Sequence, residues 1–143
     1  MTTQFLAAIL IATFVLLAGV HVYWACGGRW LKGAAVPERN GRAAFVPGPL
    51  ATLAVAAALL LFAGLVAAVS GSVVLPIPLR AGCLLVFALA ALFLVRAVGD
   101  FRLVGFFKKT TGTRFARLDT AVYSPLCTVL ALGLFTLALQ RYR

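Results

Sequence analysis

The sequence predicts an all-α integral membrane protein, a four-transmembrane-helix bundle forming one domain over residues 1–143. Three observations predict it. Of 143 residues, 64% are hydrophobic and 11% charged, against about a quarter charged in soluble domains, so too few charges exist to cover a water-facing surface. The apolar residues fall in runs near 20 residues, the length that crosses a hydrocarbon core about 30 Å thick at 1.5 Å per residue. The 13 Lys and Arg, against 3 Asp and Glu, gather between those runs.

The first helix is expected over about 5–26, because Phe5 to Cys26 is a 22-residue run without a charge. A cleaved signal peptide is disfavoured: no Lys or Arg precedes the run and no small-residue cleavage pattern closes it. A lipoprotein signal is disfavoured because Trp24 and Ala25 stand before Cys26. The second helix is expected over about 50–69, opened by Pro47-Gly48-Pro49, where Pro49 suits a first turn whose N–H would be unpaired. Ser70-Gly71-Ser72 closes it. The third, about 79–98, follows the short Pro76-Ile77-Pro78 turn. The fourth, about 120–139, has Asp119 or Thr120 as candidate N-cap.

Loop charge sets orientation, since Lys and Arg in short loops stay cytoplasmic. Arg29, Lys32, Arg39 and Arg42 in the first loop, with Arg96, Arg102, Lys108, Lys109, Arg114 and Arg117 around the third, put ten cations on one side. Arg80, Arg141 and Arg143 are the three on the other. Both termini are therefore expected outside and the two long loops in the cytoplasm. Because the charge belongs to these loops, it points to topology and lipid contact and not to nucleic acid.

A repeat at an offset of 72 residues supports two tandem helical hairpins related by a pseudo-twofold axis along the membrane normal. Residues 25–33 lie against 97–105 with Ala, Gly, Leu and Gly in common, and Arg42 and Ala44 match Arg114 and Ala116. After a four-residue insertion, Gly48-Pro49-Leu50-Ala51-Thr52 resembles Ser124-Pro125-Leu126-Cys127-Thr128. Chance similarity among Ala/Leu-rich helices is the alternative.

The polar residues converge on one membrane face. His21, Tyr23 and Trp24 end the first helix; Arg96 and Asp100 end the third; Asp119, Tyr123, Ser124 and Cys127 begin the fourth. Residues four apart share a helix face, so Arg96 pairs with Asp100 if the helix continues past Gly99, and Asp119, Tyr123 and Cys127 form a stripe. Charges near a bilayer are costly unless they reach the interface or find partners. Two readings follow: an ion-pair network that locks helix ends, or a polar pocket open to the cytoplasmic leaflet. Pro125 removes a backbone hydrogen bond and frees the carbonyl of Ala121, a kink that would open space beside Tyr123 and Ser124.

In a pocket, His21, Tyr123 and Asp119 are the candidates for proton work, while Tyr23, Trp24, Arg96, Asp100, Arg102 and Ser124 are the candidate ligand-binding residues. His21 has no second histidine, and no Cys or acid stands at ligand spacing around it, so no metal and no haem or other cofactor is expected. Cys26, Cys83 and Cys127 form no CxxC and read as buried small residues. The third loop, from Phe101 to Lys109, interleaves aromatic and basic residues and is expected in the headgroup region, with Tyr23, Trp24 and Trp30 as the matching belt. Gly19, Gly64 and the Ala runs of the second helix read as close helix contacts.

The segments His21-Val22-Tyr23-Trp24, Gly27-Gly28-Arg29-Trp30, Phe45-Val46-Pro47-Gly48, Arg96 to Arg102, Gly105 to Lys108 and Phe115 to Cys127 together resemble the four-helix bacterial membrane proteins catalogued as domain of unknown function 3995. That resemblance implies a bacterial inner-membrane protein and a fold but no reaction; its motifs contain the positions selected by depth.

The function that leads is a pocket at the cytoplasmic leaflet that binds or acts on a lipid-like anionic ligand, with Arg96 and Arg102 on the headgroup. The alternative is a non-catalytic accessory subunit or structural membrane protein. A small transporter is third, weakened because the helices carry no carboxylate at the midplane. Expected partners are membrane lipids, with a protein partner or homo-oligomer under the alternative.

Overall fold

The computed structural model describes residues 2–39 and 42–143; the Arg39 side chain, counted above among the loop cations, lies outside the described residues. Helix α1 spans Thr3–Ala25 and is capped by the Thr2 hydroxyl, which accepts from the Phe5 N–H. A loop with a one-turn helix α2, Lys32–Ala35, and a two-residue antiparallel hairpin, β1 Glu38–Arg39 and β2 Arg42–Ala43, leads to α3, Pro49–Ser70. Pro49 occupies the first turn of α3, and Gly71 ends it with φ of +84°. Helix α4 spans Leu79–Val98. The fourth rod is composite: α5 Arg114–Leu118, a π-helical turn Asp119–Tyr123, and α6 Ser124–Tyr142. Four helical rods are long and apolar enough to cross a membrane.

The spans fall within a few residues of expectation except where the fourth begins. Thr113 is the N-cap, accepting from the Ala116 N–H at 3.0 Å. Asp119 has helical dihedrals inside the rod, so neither it nor Thr120 is the cap expected from sequence. The helix starts at the Thr113 cap and runs through Asp119; ahead of Pro125, which brings no N–H, the chain widens by one residue, and the Ser124 N–H donates five residues back to the Asp119 carbonyl.

Packing follows the hairpins. α1 lies along α3 and α4 along α6, with narrower contacts between the two pairs. At mid-depth, fully buried Phe14 of α1 meets Phe62 of α3 and Phe93 of α4 at ring-centroid distances of 5.9 and 5.7 Å, joining the hairpins through an aromatic cluster. In lipid, apolar burial drives little helix association, so close packing by small residues matters more. Ala7, Ala18, Ala56, Ala63, Ala90 and Ala138 are buried accordingly. Gly19 and Gly64 are not contacts, contrary to expectation: a Cβ at either meets nothing within 4 Å. The close approaches are at Gly82, where a Cβ would lie 2.9 Å from Val69 Cγ2, and at Gly133, 3.1 Å from Leu10 Cδ2.

The terminal end of the bundle carries a clasp of its own. Gln4 Nε2 donates to the Ser70 carbonyl at 2.9 Å, the Ser72 hydroxyl donates to Gln4 Oε1, and Arg141 Nε donates to the Val69 carbonyl at 2.8 Å. These bonds satisfy carbonyls left open at the end of α3. We expect Gly82→Leu to lower stability by about 1–3 kcal/mol through overpacking and Gly64→Ala, in open space within α3, to raise it by up to about 1 kcal/mol, as measured by thermal unfolding in one detergent.

Candidate functional site

At the loop end, the second hairpin is built around two glycines and two acids. α4 stops at Val98 because Gly99 takes φ of +91°, and the chain folds back so that the Phe106 N–H donates to the Ala97 carbonyl at 2.8 Å. A Cβ on Gly99 would collide with the Val104 carbonyl, and one on Gly105 with the Val98 carbonyl; only glycine fits at either place. Asp100 Oδ1 accepts from the N–H groups of Arg102, Leu103 and Val104 at 2.9, 2.7 and 3.0 Å. Those amides, Val104 foremost, hold the Asp100 carboxyl below its ordinary range.

Asp119 is fully buried and its carboxylate is the node of the site. Arg96 Nη2 donates to Oδ1 at 2.8 Å, while the Gly105 N–H and Lys108 Nζ donate to Oδ2 at 2.7 and 3.0 Å. Lys108 Nζ also donates to the Gly105 carbonyl at 2.9 Å and to the Thr120 hydroxyl at 2.6 Å, so its three protons are all engaged. The expected Arg96–Asp100 pair does not form. The helix that would have placed them four apart on one face ends at Val98, and Arg96 reaches instead across to α6's rod. Ser124 Oγ and Arg96 Nη1 are buried without a partner among the described residues.

Tyr123 joins the hairpins: its hydroxyl donates to the Ala34 carbonyl at 3.3 Å, and its ring lies against Phe115. Arg102 is exposed, contributing its backbone N–H to the Asp100 cap. Tyr23 is half-exposed and covers Gly28, where a Cβ would strike its ring.

His21 and Trp24 belong to a different feature. Between α1, α3 and the first loop lies a cavity of about 290 Å³ lined by His21, Trp24, Lys32, Phe45, Ala51, Thr52 and Val55 among others. His21 Nδ1 lies 2.7 Å from the Leu17 carbonyl, which can only accept, so Nδ1 carries a proton and donates it there. The His21 ring sits edge-on to Trp24 at 5.2 Å, and Trp24 Nε1 donates to the Trp30 carbonyl at 2.8 Å. Lys32 Nζ donates to the Trp24 carbonyl at 3.2 Å.

The residues expected to form one cluster thus divide. Arg96 and Asp119 meet; Asp100 and Arg102 shape the loop above them; His21 and Trp24 line a cavity in the other hairpin. Sequence reasoning counted Lys32 and Lys108 for topology and missed both as site residues. Their position beside aromatic residues, Trp30 before Lys32 and Phe106-Phe107 before Lys108, was the available signal. Three side chains of His, Cys, Asp or Glu do not converge as a metal-ligand set among the described residues.

Residues 14–134 match the family model described as "Protein of unknown function (DUF3995)". No curated protein and no solved structure matches the chain.

Removing one partner of a buried ion pair typically costs about 3–5 kcal/mol, and Arg96 is one-third exposed. Lys108, the other partner, is only 3% exposed, so Asp119→Asn is expected to cost about that much in thermal unfolding, with loss of amide protection at Gly105. Asp100 has a lowered native pKa, so its hold on the loop is full above the ordinary carboxylate range, about 4, and fades as pH falls through the native value. Hydrogen exchange should show protection of the 102–104 amides falling on acidification, and absent at every pH in Asp100→Ala.

Proposed function

The chain belongs to the family of unknown function 3995, and from that premise we propose that it is a small multi-pass membrane protein that holds a lipid-like anionic ligand at the basic, loop-bearing end of its bundle. The observation that carries this reading is the cavity of the first hairpin, whose walls are mostly apolar and whose cation is Lys32. Ligand pockets commonly pair an apolar lining with a few placed polar groups, and Lys32 and His21 supply them here, with Trp24 in the wall. Arg96, expected on the headgroup, is committed to Asp119, so Lys32 takes that role. Exposed Trp30, Phe106 and Phe107 interleave with Arg29, Arg102 and Lys109, a surface suited to anionic headgroups. In this reading the loops are cytoplasmic, both termini lie outside, and the membrane is a bacterial inner membrane.

The second reading, an accessory subunit or structural membrane protein, is supported by the Asp119 clasp, in which both carboxylate oxygens are satisfied from within the chain. Native mass spectrometry after gentle extraction separates the two. A bound anionic lipid in wild type, reduced about tenfold by Lys32→Gln as expected for one charge-assisted hydrogen bond, supports the ligand reading. A bare chain, or a chain recovered only with another polypeptide, sinks it in favour of the subunit.

A further inference from the structure

The two hairpins share several features at matched positions and differ in how their loop ends are closed. Gly27 and Gly99, 72 residues apart, both take positive φ, +96° and +91°, just past α1 and α4. Thr52 and Thr128, matched after the insertion, both donate a hydroxyl proton to the carbonyl four residues back, at 2.9 and 3.0 Å. Pro49 opens α3, and Pro125 stands in the first turn of α6 after the π turn, inside the continuous fourth rod. In this register Trp24 corresponds to Arg96.

Between the matched residues Ala44 and Gly48 the first hairpin has residues 45–47, where the second has 117–123 between Ala116 and Ser124. That longer segment contains the π turn and Asp119. Its carboxylate is the anion on which Arg96 and Lys108 converge, and both ion pairs among the described residues end on it. The first hairpin has no counterpart. Trp24, in place of Arg96, lines the cavity, and Lys32 has one hydrogen bond among the described residues, to the Trp24 carbonyl. Glu38 lines an adjoining hollow with Lys32 but forms no ion pair with it within 4 Å.

We propose that the cavity between α1 and α3 takes from outside the carboxylate that the second hairpin supplies from its own chain: the headgroup of a single-chain carboxylate amphiphile. Its head would lie on Lys32 beside His21, and its alkyl chain would run past Ala51 and Val55, which are exposed on α3. This narrows the anionic-ligand reading above and rests on it. A monoanionic carboxylate matches one ammonium. A phosphate, with three acceptor oxygens and nearly two charges, calls for the several donors that only the second hairpin gathers. A cavity of about 290 Å³ sits at the small end of ligand pockets and admits one chain.

The test uses the full chain in maltoside micelles with Trp30→Phe, which keeps the carbonyl that Trp24 Nε1 needs and leaves Trp24 as the one tryptophan of two. The probes carry bromine beside the head: 2-bromododecanoate, 2-bromododecyl phosphate and neutral 2-bromododecanol. We expect the carboxylate to quench Trp24 at about tenfold lower concentration than the alcohol. Lys32→Gln should erase that advantage, Lys32→Arg should retain it, and Thr52→Phe should reduce quenching by every probe to the micelle background. Equal quenching by all three probes in wild type overturns this proposal and the anionic reading together. Preference for the phosphate over the carboxylate overturns this proposal and leaves the anionic reading standing.

Discussion

One buried carboxylate organises the loop end of this protein. Asp119 receives Arg96 from α4, the Gly105 N–H from the connecting loop and Lys108 from beyond it. Without that anion, Lys108, whose side chain is 3% exposed, would be a buried cation with no counter-charge, an arrangement that the low dielectric of a membrane-embedded bundle makes expensive. The dependence runs both ways, because Asp119 stands in the π turn that precedes Pro125, and Gly105 is placed by the fold-back that Gly99 permits. A proline, two glycines and three charges thus form one cooperative unit.

Much of the fold was legible because the bilayer is a severe constraint. A span must be about 20 apolar residues long, so α4 was placed at its observed ends and α1 and α3 within two residues. The site was less legible because it depends on where a helix stops. Arg96 and Asp100 are four apart in sequence, and only the positive φ of Gly99 makes that spacing meaningless; the glycine itself was the readable warning. The partner that Arg96 does find is 23 residues away, beyond any local rule. The start of the fourth rod was missed for a related reason. The apolar run begins near Thr120, but Thr113 caps a polar turn ahead of it, and hydropathy is blind to a helix that starts outside its span.

The terminal-end clasp shows the same limit from the other side. Gln4, Ser70, Ser72 and Arg141 come from both ends of the sequence and the middle, and nothing in their spacing joins them. Their common task is physical: each meets another polar side chain or a carbonyl at the end of α3, where the i to i+4 pattern runs out. Both ends of the bundle are therefore tied by polar bonds while its middle rests on the Phe14, Phe62 and Phe93 cluster and close alanine contacts. That division suits a medium in which hydrogen bonds cannot be exchanged for water and apolar surface gains little from burial.

The likeness of the two hairpins brings out where their loop ends differ. A hairpin whose helix ends carry cations needs an anion nearby. The second hairpin has one in cis, in the segment that carries Asp119, and that carboxylate ties its loop to its helices. The first hairpin keeps the shorter connection, an open space in place of the π turn, and a lysine held by a single carbonyl. Tyr123, which begins in the closed hairpin and bonds the Ala34 carbonyl of the open one, fixes the second against the first. The closed half then serves as the frame on which the open half holds its cavity, so the residues that look most like an active site by charge are the support, and the candidate binding site is the quieter one beside them.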